Sequence, residues 1–445
     1  MPPAQKRDSY PRPAELREPA APYPIPAQLA PLSAPPAESA PPYIPPSRGP
    51  WDSRWTRSTH VLPAAYPRRP TLRAPELEGT AARQEIARRR AEHYAGRWER
   101  LPPRGEVLFT VAERIGRVDQ PGAREQHRPV TLVCTHANGF HKEIWDETLK
   151  YLLCRGLPGA ECIDEVWTLD AVTQGDAGRV NAEELPDIFD WTENARDILN
   201  FLIAYLPPAA DLGTPPAQLA RIPEHDQQIR RQHGFSDRRI VVLGHSMGGT
   251  AASLAATEIP ALFDSMILVD PVIACEAHLF GQNHDPYIIG ALKRRHIWSS
   301  RSAALSGLDG SPALKLWDPA VLCSYVDHGT YVEPSGSVRL KCSPYQEASS
   351  FSEMRAPNYA WYRLSRLPPR IALFWIVAGI EGENGATGFD EGTALTVWRR
   401  PENASNTRVP GASHLIVQQK PRELAGLVSE FIFGKYSPGE QHAKL

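Results

Sequence analysis

The sequence predicts an α/β protein: a mostly parallel sheet flanked by helices, with a helical lid insertion and a disordered proline-rich tail ahead of it. Three observations predict this class. Short apolar, β-branched runs alternate with helical periodicity from about residue 104 onward. The alternation breaks between about 275 and 367 into short helical pieces and Gly/Ser/Pro loops. Twenty of the 45 prolines fall in the first 75 of the 445 residues.

The elements follow in order. Runs such as Pro41-Pro42-Tyr43-Ile44-Pro45-Pro46 lack backbone donors and offer little to bury. Segment 1–77 is therefore expected to be extended or disordered. In 78–103, Ile86, Tyr94 and Trp98 stand at helical spacing among Ala, Arg and Glu, which predicts a helical linker. The folded body, 104–440, opens with strands at 106–112 and 130–135. A strand at 165–170 and a helix at 191–205 come next, then strands at 240–243, 266–270 and 371–378 and a helix at 421–433. Strands separated by helices indicate parallel pairing with both faces covered. The insertion at about 275–367 reads as a lid over the strands' carboxyl ends. Its aromatics, among them Phe280, Trp298, Trp317, Tyr325 and Trp361, suit an apolar acyl group, or simply form the lid's own core.

Composition excludes several classes. A net charge of -2 gives no basic surface for nucleic acid or an anionic membrane. The longest apolar run, 371–378, is too short to span a bilayer as a helix. The six cysteines stand without C-x-x-C spacing, so neither a metal nor another cofactor is expected.

One stretch carries chemistry. Ile240-Val241-Val242-Leu243-Gly244-His245-Ser246-Met247-Gly248-Gly249 reads as a buried strand, a sharp turn and the start of a small-residue helix. A bare G-x-S-x-G arises by chance in roughly one chain in seven of this length. Its flanks set this one apart, because strand, turn and helix are the context a nucleophile elbow requires. A serine hydroxyl is a weak nucleophile until a base takes its proton and an acid orients that base. In elbow proteins these follow in the order Ser, acid, His. The base is read as His414, on a loop after the last predicted strand. The acid is read as Asp270, which ends the strand 266–270 and precedes Pro271; Glu381, after strand 371–378, is the reserve. The oxyanion would meet the backbone N–H of Met247 and one from the loop after 130–135, with Asn138 placed first and Ala137 next. His136 is read as a brace for that loop.

The block Thr135-His136-Ala137-Asn138-Gly139-Phe140-His141-Lys142-Glu143 resembles an H-[GA]-N-G-F-H-K-E signature of serine α/β-hydrolases. Three further blocks agree: Leu169-Asp170-Ala171-Val172-Thr173-Gln174-Gly175-Asp176, Phe189-Asp190-Trp191-Thr192-Glu193-Asn194-Ala195-Arg196-Asp197 and Ile267-Leu268-Val269-Asp270-Pro271. Together they resemble a fungal peroxisomal branch of that family, the one holding the yeast peroxisomal lipase and hydrolases of host-selective toxin pathways. The resemblance implies the α/β-hydrolase fold over about 104–440. It also favours Asp270 over Glu381, because the late loop of that branch often lacks a carboxylate. The tail 441–445 ends Ala443-Lys444-Leu445, a variant of the S-K-L address read by the peroxisomal import receptor. The expected function is hydrolysis of a carboxylic ester or thioester through an acyl-enzyme, in the peroxisome or alternatively the cytoplasm. The alternatives are acyl transfer on the same residues, with Lys293-Arg294-Arg295 gripping the phosphates of coenzyme A, and a non-catalytic scaffold.

Overall fold

The computed structural model describes residues 8–16, 18–21, 23–97, 106–118, 128–209, 213–275, 285–380 and 390–437. In chain order the strands are β1 (Trp55–Pro63), β2 (Phe109–Arg117), β3 (Val130–Thr135), β4 (Ile163–Leu169), β5 (Arg239–His245) and β6 (Ser265–Val269). Next come β7 (Ile297–Trp298), β8 (Thr330–Val332), β9 (Val338–Leu340), β10 (Ala372–Ala378) and β11 (Ala404–Val409). Eight of them form one sheet in the order β1-β2-β4-β3-β5-β6-β10-β11. The β1–β2 and β2–β4 pairs are antiparallel, and every later pair is parallel.

Central strands β3 and β10 are buried at every position, the mark of a sheet covered on both faces. Helices Trp191–Asn200 and Met247–Glu258 cover one face through Ile198, Leu199, Ala251 and Leu254. Helices Asp146–Cys154 and Pro421–Tyr436 cover the other through Leu149, Leu152, Leu424 and Val428. All four loops of interest leave the carboxyl ends of β3, β5, β6 and β11. That is the end where ligands bind in open α/β sheets.

The boundary expected at residue 104 is corrected. β1 pairs with β2 along nine residues, from Trp55–Arg117 to Pro63–Phe109, so the sheet begins some fifty residues earlier. The described residues of 8–50 hold no helix and only an isolated bridge, Ser33 to Tyr66, as proline density predicts. The segment nevertheless lies along the body instead of standing free in solvent. Its far end reaches β11, where Asp8 O accepts from the Arg408 N–H at 2.9 Å and Tyr10 is buried in the main core. Its near end reaches β1, where Ser47 Oγ accepts from the Thr59 N–H at 2.8 Å. The predicted linker is also part of the body. Helix Gly79–Tyr94 buries Ala82 and Ile86 against Ile288, Tyr345 and Ala348 of the cap.

The insertion is a cap of helices Asp285–Lys293, Arg301–Asp309, Pro319–Gly329 and Pro344–Phe351. A small antiparallel sheet, β7-β9-β8, lies among them and was not expected. Strands of two or three residues are too short to show a period. Helix Arg355–Leu364 packs on Met247–Glu258, so the cap closes nearer residue 353 than 367. Trp298, Trp317 and Tyr325 are buried within the cap, and Phe140 packs against the last two at 5.7 and 5.8 Å. These aromatics fill the cap's interior. Phe280, Trp98 and the tail 441–445 lie outside the described residues.

Candidate active site

Ser246 caps β5 with φ 54° and ψ -120°, a conformation that costs a non-glycine residue on the order of 1–3 kcal/mol. The flanking glycines make the turn sterically possible. A Cβ at 244 would stand 2.7 Å from the Gly249 Cα, and one at 248 would stand 2.5 Å from the Thr135 carbonyl oxygen. The turn points the serine hydroxyl out of the sheet while helix Met247–Glu258 starts directly behind it.

Three of the expected residues meet. His414 Nε2 is 2.9 Å from Ser246 Oγ, and His414 Nδ1 is 2.7 Å from Asp270 Oδ2. The other carboxylate oxygen, Oδ1, accepts from the Ala378 N–H at 3.1 Å. Asp270 itself takes φ 39°, and its N–H donates to the Ile376 carbonyl at 2.7 Å. Thus β10 holds both the backbone and the carboxylate of Asp270. The Asp270 side chain is 3% exposed and that of His414 30%, so the imidazole faces the open side and the carboxylate is shut away. The reserve acid, Glu381, lies outside the described residues.

A second histidine supports the first. His245 is fully buried, and burial pushes its pKa down to about 3, so the ring is neutral. Its Nε2 lies 2.9 Å from the His414 carbonyl, an acceptor, so the Nε2–H donates and fixes the loop that carries His414. Ser413 anchors the same loop, its N–H donating to Gln419 Oε1 at 2.8 Å. Sequence reasoning passed over His245. Its only signal was a polar residue at the end of an otherwise apolar strand.

The loop after β3 is tied down from below. Burial lowers His136 to about 4; Nδ1 donates to the Ala137 carbonyl at 2.8 Å and Nε2 accepts from the Ala171 N–H at 3.0 Å. This is the bracing role expected of it. Gln174 Oε1 accepts from the Gly139 N–H at 3.0 Å, and Gln174 Nε2 donates to Asn138 Oδ1 at 2.6 Å. Lys142, 1% exposed, sits among Glu143 (2.7 Å), Asp170 (3.3 Å) and Asp176. Stripped of water, the ammonium is held charged by these carboxylates, its pKa well above the usual lysine range. The HKE and LD…QGD blocks therefore lock the loops after β3 and β4 together. Among the described residues, neither the Met247 nor the Asn138 backbone N–H donates to a protein acceptor. Of the basic run 293–295, Arg294 is committed to Glu347, and Arg295 lies over Trp298.

An eight-stranded sheet with a strained serine after β5, an aspartate after β6 and a histidine after β11 defines a class, the α/β-hydrolases. The model of the alpha/beta hydrolase family matches residues 132–427, and the chain belongs to that family. It is 30% identical over 166 residues to peroxisomal membrane protein LPX1 of Saccharomyces cerevisiae, covering 37% of this chain and 35% of that protein. It is 24% identical over 270 residues to the type I acyl-CoA thioesterase mpaH of Penicillium roqueforti, covering 60% of this chain and 48% of the other. The chain thus spans about half or less of the length of these curated relatives. Among solved structures, the peroxisomal alpha-beta-hydrolase Lpx1 of S. cerevisiae superposes with a TM-score of 0.61 at 20% identity, over 88% of this chain and 94% of that one. That likeness shows the fold. Among the described residues, no helix is long and apolar enough to cross a membrane.

Proposed function

We propose that the chain is a serine hydrolase that cleaves a carboxylic thioester or ester through an acyl-enzyme on Ser246. The observation that carries this reading is the unbroken relay from Ser246 Oγ to His414 to Asp270, at 2.9 and 2.7 Å. In the proposed cycle His414 Nε2 takes the serine proton as Oγ attacks the carbonyl carbon. Asp270, accepting from Nδ1–H, stabilises the imidazolium that forms. The tetrahedral oxygen takes the two uncommitted N–H groups of Met247 and Asn138. His414 then returns the proton to the leaving thiol or alcohol. It next draws a proton from water as the water oxygen attacks the acyl carbon, then passes it to Ser246 Oγ as the Oγ–C bond breaks and the acid leaves. No step asks for a metal or cofactor. The likeness to mpaH favours the thioester among these substrates.

A fluorophosphonate probe tests the reading directly. The folded chain is expected to be labelled on Ser246, with labelling lost in Ser246→Ala, and to release free acid from an acyl thioester. A folded, unlabelled wild type would leave a binding protein instead; acyl transfer to an added alcohol in preference to water would make it a transferase.

We also infer import into the peroxisome, a reading supported by the sequence likeness to the peroxisomal membrane protein LPX1. Ala443-Lys444-Leu445 would meet the import receptor. A fluorescent protein fused ahead of the chain is expected in peroxisomes, and Lys444→Glu is expected to return it to the cytosol. Peroxisomal signal unchanged by Lys444→Glu would assign import to another segment.

A further inference from the structure

From the two proposed oxyanion donors, hydrogen bonds converge on a single helix of the cap, Pro344–Phe351. Asn138 Nδ2, on the loop after β3, donates to the Glu347 backbone carbonyl at 3.0 Å. On the elbow, Met247 Sδ accepts from Ser350 Oγ at 3.5 Å. Ser350 Oγ in turn accepts from Trp191 Nε1 at 3.0 Å. An indole N–H can only donate, so the serine's own proton is left for the sulfur and the direction of the chain is set. Glu347 and Ser350 stand three residues apart, on one face of the helix. Asn138, Met247 and Ser350 are all buried, so bulk water does not compete for these contacts.

The helix is itself anchored to the body. Gln346 Nε2 donates to the Pro186 carbonyl at 2.8 Å and Ser349 Oγ to the Asp187 carbonyl at 3.1 Å. Arg90 reaches the Ser349 carbonyl at 3.1 Å from helix Gly79–Tyr94. The sheet cannot do this job, because the β3–β5 ladder ends at Thr135–Gly244. Beyond that pair no ladder hydrogen bond joins the two loops, which touch only by packing where Gly248 lies against the Thr135 and His136 carbonyls.

We propose that helix Pro344–Phe351 is a strut that sets the spacing of the two oxyanion donors. The Asn138 and Ser350 side chains are its positioning residues, acting through the backbone N–H groups of Asn138 and Met247. This deepens the serine-hydrolase reading above and rests on it. An oxyanion hole works only when both donors reach one oxygen at about 2.7–3.1 Å. A cap helix holding both loops couples the cap directly to the chemistry: displacing the helix spreads the donors without touching Ser246 or His414.

The test uses the full chain with Asn138→Ala, Ser350→Ala and the double variant. Tyr436→Phe serves as the control, because it removes a hydrogen bond to Ser265 at the opposite end of β6. The readouts are kcat and KM on a p-nitrophenyl ester, and the affinity for phenylboronic acid, whose serine adduct is tetrahedral. Each single variant is expected to lose about tenfold in kcat with KM nearly unchanged, less than the roughly 10²–10³ lost when a donor is removed outright. Boronate affinity should fall in step with kcat/KM, while Tyr436→Phe lowers Tm and leaves kcat alone. Single variants within twofold of wild type, or losses that follow Tm as the control does, overturn the strut. An active, labelled wild type with unaffected variants sinks the strut alone; an inert, unlabelled wild type takes both readings down.

Discussion

Asp270→Asn is expected to lower kcat by about four orders of magnitude at neutral pH, the scale seen when the acid of a triad becomes an amide. Folding and KM are expected to stay near wild type. The size follows from which oxygen is already committed. Asp270 Oδ1 accepts from the Ala378 N–H at 3.1 Å, a donor that an amide nitrogen cannot satisfy. An asparagine therefore turns its carbonyl oxygen toward Ala378 and its NH₂ toward His414 Nδ1. The imidazole then presents Nδ1 as an acceptor and carries its proton on Nε2, facing Ser246 Oγ at 2.9 Å. In that tautomer it cannot take the serine proton. Glu381→Gln, in contrast, is expected to keep kcat within about twofold, because β10 places Asp270, at 2.7 Å, against the histidine. Steady-state kinetics on the two purified variants decide. An Asp270→Asn enzyme within tenfold of wild type would put the acid elsewhere, and a collapse of Glu381→Gln would put it there.

What the sequence made legible divides along the distance over which the signal acts. The elbow is a local object: strand, turn and small-residue helix occupy consecutive positions, and its two glycines answer steric demands within a few residues. The buried strands β3, β5 and β10 announce themselves as short, mostly apolar runs rich in valine and isoleucine or aromatics. The edge strands did not. β11 reads Ala-Ser-Asn-Thr-Arg-Val with two of six positions buried, so no apolar face marks it. β1 sits in proline-rich surroundings whose composition hid its pattern. The site divides in the same way. Ser246 and Asp270 each follow a recognisable strand, whereas His414 follows the unmarked β11 and is legible only through the chain order Ser, acid, His. The contacts that hold the oxyanion loop join residues as far apart as Asn138 and Glu347, a separation of 209 positions that no local pattern encodes.

The proline-rich segment carries the largest expected effect on stability. Proline density argues against helix and ladder, and in that respect the composition was sound. An extended chain can still be fixed by the few side chains it buries. Tyr10 is 5% exposed, its hydroxyl donates to Asp390 Oδ1 at 2.9 Å, and its carbonyl accepts from Trp398 Nε1 at 2.8 Å. Arg48 sits between Glu113, whose side chain is 0% exposed, and Asp146 at 2.6 Å. Between these points Arg196 reaches the Ala30 carbonyl at 2.9 Å and the Pro31 carbonyl at 2.7 Å. The segment thus runs from one edge of the sheet to the other and covers backbone groups that edge strands would otherwise leave open. Tyr10→Ala should cost about 3 kcal/mol, in line with emptying a buried aromatic site. Arg48→Met should cost about 3 kcal/mol as well, since Arg57 alone remains to balance two carboxylates, one fully buried. Deleting residues 1–50 removes both anchors and the contacts between them. The combined loss is comparable to the whole stability of a typical domain, about 5–15 kcal/mol, so the truncated chain should fail to accumulate in soluble form. The two point variants keep the test quantitative, because each should remain folded with a lowered urea midpoint. A soluble truncated chain whose Tm lies within about 2 °C of wild type, with both point variants unchanged, would reduce the segment to a passive tail. An edge of β11 exposed in its absence would then have to be protected by charge alone, and Arg408 is the only charged side chain among its six residues.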